Sequence, residues 1–113
     1  MSLDIDLVQN RCESCGREDI VYSANITHNL CDMAEEAGIY GVLWHPTENA
    51  IGHACQLVSP LLRAIVDMRT DPERFKVFNS SNGWGTYATF LPWLERLLDA
   101  CRKYPGARVV SDT

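Results

Sequence analysis

The chain has 113 residues, of which 46% are apolar and 22% charged, and its formal net charge is −5. That length suits one domain over 1–113 with a small but workable core. The acidic balance disfavours a phosphate-backbone partner, because Lys and Arg supply most of that affinity, and no apolar run approaches the roughly 20 residues of a membrane-spanning helix.

Leu3, Ile5 and Leu7 alternate with Asp4 and Asp6, the period-two pattern of a half-buried strand. Cys12-Glu13-Ser14-Cys15-Gly16 then turns the chain, and Ile20, Val21 and Tyr22 favour a second strand over 19–24. The N-terminus thus reads as a hairpin with a cysteine-rich tip. Ile26, Leu30, Met33, Ala34 and Ala37 share one helical face, with Asn25 as N-cap and Gly38 just past the C-terminus. After a hydrophobic connector over 38–46, a helix is predicted at 50–69, interrupted at Pro60 with Ser59 capping its restart. Asp71-Pro72-Glu73 opens a short helix that offers Phe75 and Phe78 to the core. A polar loop over 79–85 leads to Thr86, which caps a final helix burying Tyr87, Phe90, Leu91, Leu94, Leu98 and Cys101, with Pro92 in its first turns or at a kink. Pro105-Gly106 is a turn, and 107–111 is a last strand. The expected fold is α+β: a small antiparallel sheet, made of the N-terminal hairpin and the C-terminal strand, packed on three to four helices and carrying a zinc knuckle.

The knuckle rests on Cys12, Cys15, His28 and Cys31, spaced C-x2-C-x12-H-x2-C. Thiolates and imidazole at such spacing suit tetrahedral zinc. His28 and Cys31, three apart on a helix, share a face. Residues 10–33 resemble zinc-finger and treble-clef modules, although His-x2-Cys is shorter than the usual final spacing. Four protein ligands close the shell, so the zinc would be structural. Asp32, Glu35 and Glu36 on the helix of that module argue against duplex recognition.

Polar and aromatic side chains also gather in three helix-entry loops. Asn25, Thr27, His28 and Asn29 form one cluster, Trp44-His45-Pro46 a second, and Asn82-Gly83-Trp84-Gly85-Thr86-Tyr87 a third. Glycines there permit close backbone approach, and an aromatic in such a loop suits packing on a ligand or partner. No Ser-His-Asp pattern, phosphate-binding loop or dinucleotide fingerprint is present.

The stretches Ser23-Ala24-Asn25-Ile26-Thr27-His28-Asn29-Leu30, Met33-Ala34, Ala37-Gly38-Ile39-Tyr40, Leu43-Trp44-His45-Pro46 and Asn82-Gly83-Trp84-Gly85-Thr86-Tyr87 resemble a family of small uncharacterised proteins of bacteriophages and bacteria. The likeness spans about residues 20–113. Arg is usual in that family where His45 stands, and only some members carry the knuckle cysteines. The resemblance therefore implies a role for Asn25 and His28 beyond metal binding. It also implies an accessory role in a phage setting, such as interference with host defence by binding a host protein or a nucleotide signal.

The leading expectation is a non-enzymatic binding protein stabilised by structural zinc, with Asn25, His28, Trp44, His45, Asn82 and Trp84 as its ligand surface. A hydrolase or transferase using His28 or His45 with a nearby carboxylate is one alternative, and a zinc-stabilised interaction module is another. Met1-Ser2-Leu3-Asp4 lacks the basic and apolar regions of a signal peptide, and the cysteine count of 5 is odd. The expected location is therefore the cytoplasm, that of the host if the gene is phage-borne.

Overall fold

The apolar–acidic alternation at the N-terminus builds the central strand of the sheet. The computed structural model describes residues 2–12 and 14–113, with the side chains of 10–12 outside the described set. Strand β1 (Ser2–Cys12) pairs antiparallel with β2 (Arg17–Thr27) on one side and β3 (Arg108–Asp112) on the other, giving the order β2-β1-β3. Leu3, Ile5 and Leu7 point inward and are fully buried, each worth about 1.5–3 kcal/mol in transfer free energy. Asp4 and Asp6 point outward, where Asp4 accepts from Asn25 Nδ2 at 2.6 Å and Asp6 from Ser23 Oγ at 2.6 Å. Pairing with β3 ends at Val8↔Arg108, so the hairpin continues beyond the body as two strands, and the molecule extends 50 × 27 × 23 Å.

Two expectations at the first corner are corrected. The second strand runs to Thr27, three residues past the expected Ala24, because Leu3↔Ile26 and Ser2↔Thr27 extend the ladder. Asn25 is therefore a strand residue and not the N-cap. Thr27 takes that role: its Oγ1 accepts from Asn29 N at 3.3 Å and opens a 3-10 turn, His28–Leu30. Helix α1 (Cys31–Glu36) follows. It ends as predicted on Gly38, whose φ of +72° suits glycine. There Gly38 N donates to Glu35 O and Ile39 N to Ala34 O, a Schellman closure with Ile39 buried beneath it.

The connector contains a short helix, α2 (Tyr40–Trp44). The next helix, α3 (Cys55–Thr70), starts later than predicted and runs unbroken through Pro60. Its buried side chains, Leu57, Leu61, Ala64, Ile65 and Met68, continue across the proline, so packing outweighs the one missing backbone bond. Helix α4 (Pro72–Lys76) begins on its proline, as expected, and buries Phe75. In α5 (Tyr87–Lys103), Thr86 and Thr89 form a reciprocal capping box. Helix α5 packs along α3 and against the inner face of the sheet. Trp93 of α5 donates its indole N–H to Asn25 O at 3.1 Å, which covers the outer edge of β2 at that point.

Candidate functional site

The β2 corner and the loop before α5 meet in one open cleft of about 660 Å³. Asn25, Thr27 and Asn29 come from the corner, Asn82, Trp84 and Gly85 from the loop, and Ser2 and Thr89 complete the lining. Gly85, with φ +97°, lets the two segments touch: a Cβ there would lie 3.0 Å from Thr27 Cγ2 and 3.2 Å from Asn29 Cβ. Asn29 Nδ2 ties the segments together by donating to Trp84 O at 2.9 Å, across 55 residues of sequence. Within the loop, Asn82 Oδ1 accepts from Trp84 N at 2.9 Å, and Asn79 Oδ1 accepts from Tyr87 N at 2.7 Å. These bonds fix the backbone around Trp84, a residue that is itself 71% exposed.

None of the described residues lining this cleft carries a charge. Asp4, outside the lining, accepts from the Asn25 carboxamide. Such a surface is built for neutral hydrogen-bonding groups and an apolar or aromatic face.

The six residues expected to form one ligand surface are divided. Asn25, Asn82 and Trp84 share the cleft just described. Trp44 and His45 line a separate one of about 380 Å³, with Pro46, Glu48, Arg108 and Ser111. Trp44 itself is only 4% exposed, stacks on Tyr40 at 5.2 Å, and donates its indole N–H to His28 Nδ1 at 2.9 Å. It is a packing residue that orients His28. Because Nδ1 accepts that bond, neutral His28 carries its proton on Nε2. Cys31 Sγ lies 3.8 Å from the same Nδ1. Burial, reinforced by Asp32 and Glu35, pushes the Cys31 thiol above its usual pKa and so disfavours the nucleophilic thiolate. His45 Nε2 meets Tyr40 OH at 3.4 Å. The recorded partners of the two imidazoles are thus an indole, a thiol and a phenol.

The four expected metal ligands are likewise divided. His28 and Cys31 are neighbours at the base of the hairpin. Cys15 is exposed at the opposite end, beside the Cys12↔Arg17 pairing, and the Cys12 side chain lies outside the described residues. Strand β2 separates the two pairs by 11 residues, or about 35 Å at the usual strand rise. Tetrahedral zinc needs its ligand atoms within about 4 Å of one another. One ion held by all four residues does not fit this arrangement. Among the described residues, no three His, Cys, Asp or Glu side chains are grouped to hold a metal.

Sequence reasoning did not single out Ser2 or Thr89 as cleft residues, or Gly85 as the point of closest approach. The Thr86-x-x-Thr89 spacing of a capping box was the available signal for Thr89. Taken together, the fold and the site define a small α+β protein with an uncharged polar cleft beside an exposed indole. Comparison with protein-family models, with curated proteins and with solved structures finds no match to this chain.

Proposed function

We propose that the protein is a non-enzymatic binding protein whose ligand sits in the cleft between the β2 corner and the 79–86 loop. The observation that carries this reading is the convergence of Asn25, Thr27 and Asn29 with Asn82 and Trp84, segments about 55 residues apart, around one exposed indole. Fixed polar groups beside a large aromatic are what a recognition site needs. The resemblance read from the sequence motifs over residues 20–113 adds to this reading an accessory role in a host cell. The uncharged lining favours contact through neutral groups, so a nucleotide's phosphates would have to remain in solvent.

A fragment screen read by backbone amide chemical shifts tests the site. Shifts should cluster at residues 25–30 and 82–89 and vanish in Trp84→Ala, a variant expected to melt as the parent does because the indole is exposed. Shifts clustering on another face would move the site elsewhere.

A further inference from the structure

Three asparagines line the cleft, and partners of unambiguous role fix the orientation of their carboxamides. Asn25 must turn its Nδ2 to the Asp4 carboxylate, which only accepts, and donates to Ser2 Oγ as well. Asn29 must turn its Nδ2 to the Trp84 carbonyl. Asn82 must turn its Oδ1 to the Trp84 N–H. Among the described residues, this leaves Asn25 Oδ1 and Asn29 Oδ1 unmet as acceptors and Asn82 Nδ2 unmet as a donor. The Trp84 indole, also with no recorded hydrogen-bond partner, adds a flat apolar face and a second donor.

We infer that the cleft binds the ring of a neutral saccharide, an inference that rests on the cleft being the ligand site. Each sugar hydroxyl both donates and accepts, so adjacent hydroxyls can satisfy the two carboxamide oxygens and the carboxamide N–H together. The C–H face of a pyranose is apolar and matches an exposed indole in size. The lining offers no cation to an anionic group, and the Asp4 carboxylate is bonded to Asn25, which sets a neutral sugar ahead of a nucleotide or a sugar phosphate. The cleft is open, so a single ring should bind with a dissociation constant on the order of 1 mM, tightening with a second ring.

The test titrates the intact protein with methyl glycosides and neutral di- and trisaccharides, and in parallel with adenosine, guanosine and inorganic phosphate. Trp84 fluorescence and amide shifts are read together. Trp44 and Trp93 are 4% and 5% exposed, so solvent-sensitive emission reports Trp84. A saturable response to at least one neutral saccharide is expected, with shifts at Asn25, Asn29 and Asn82. The affinity should fall by more than about tenfold in Trp84→Ala and stay within about tenfold in Trp84→Phe, which keeps an aromatic face. Saturation by a nucleoside with no saccharide response overturns the ligand class and leaves the cleft reading intact. No response to any saccharide at about 50 mM, well above the expected constant, overturns the inference, whatever the fragment screen then says of the cleft.

Discussion

Gly85 is where the site and the fold depend on the same backbone, so Gly85→Ala is the sharpest perturbation available. The residue has φ +97°, a conformation in which any Cβ is strained by about 1–2 kcal/mol. Its Cβ would also meet Thr27 Cγ2 at 3.0 Å and both Asn29 Cβ and Leu30 Cγ at 3.2 Å. Two of those three atoms are close to the backbone and have little room to withdraw, and Leu30 is fully buried, so overpacking adds about 1–3 kcal/mol. The expected loss is about 2–5 kcal/mol, a large share of the roughly 5–15 kcal/mol that holds a domain together. Gly83→Ala is the control. It has φ +77° but nothing within 4 Å of its Cβ, so only the conformational part remains. Urea denaturation of the two variants gives the contact part by difference. Amide shifts should move across Thr27–Leu30 in Gly85→Ala and stay near the loop in Gly83→Ala. Equal losses in the two variants would refute the idea that the loop is seated against the β2 corner.

Three other perturbations report on the remaining features. Trp44→Phe removes the N–H on His28 Nδ1 and should cost about 0.5–1.5 kcal/mol plus a small cavity term, with the His28 ring nitrogen shifts changing in parallel; unchanged shifts would remove that bond. Cys15→Ser, at an exposed tip, should lie within about 0.5 kcal/mol of the parent, while Cys31→Ser, half-buried against the core, should cost more, and chelator should shift neither melting curve; equal losses that zinc restores would reinstate a shared ion. Burial, with the nearby Cys55 as a smaller cause, pushes the Cys101 thiol up to about 12 from 9.0. Below pH 9 both folded and unfolded chains keep that proton, and between 9 and 12 only the folded chain does. This group's contribution is therefore complete below pH 9 and lost on the alkaline side, by about 1.4 kcal/mol per pH unit. The stability gap between parent and Cys101→Ala should close as pH rises from 9 to 11, and parallel pH profiles would contradict the assignment.

Much of the fold is legible wherever a single period dominates. Leu3, Ile5 and Leu7 between acids admit one reading, as do the Thr86 cap and the glycine closing α1. Ile26 admits two. It continues the period-two series of Tyr22 and Ala24, and it also begins the helical series of Leu30 and Met33. Pairing with Leu3, a contact 23 residues away, decides for the strand and takes Asn25 along. Pro60 is similar: the local rule stops a helix there, and five buried side chains on both sides keep it going. In the site, the crowding of asparagines and a glycine-flanked tryptophan was legible as recognition chemistry. Which tryptophan would be exposed was not. Trp44 sits on a helical turn facing the core, whereas Trp84 is lifted out by two glycines of positive φ. Trp93 belongs with the buried face of α5 on spacing alone, since it follows Phe90 by three and precedes Leu97 by four.

The divided metal ligands show what a spacing motif leaves out. C-x2-C-x12-H-x2-C counts residues along the chain, and the distance those residues span depends on the conformation of the twelve in the middle. In a zinc module the strand after the knuckle must be short enough for the helix to swing back onto it. Here that segment is almost entirely extended: β2 occupies Arg17–Thr27 and pairs along its length with β1. Each added rung of the ladder carries the His28 end farther from the tip, by about 3.3 Å per residue. The alternation that makes β1 a good strand therefore also separates Cys12 and Cys15 from His28 and Cys31. The same extension brings Asn25 and Thr27 alongside Ser2 and opposite Gly85. The long hairpin that divides the metal ligands is what assembles the cleft.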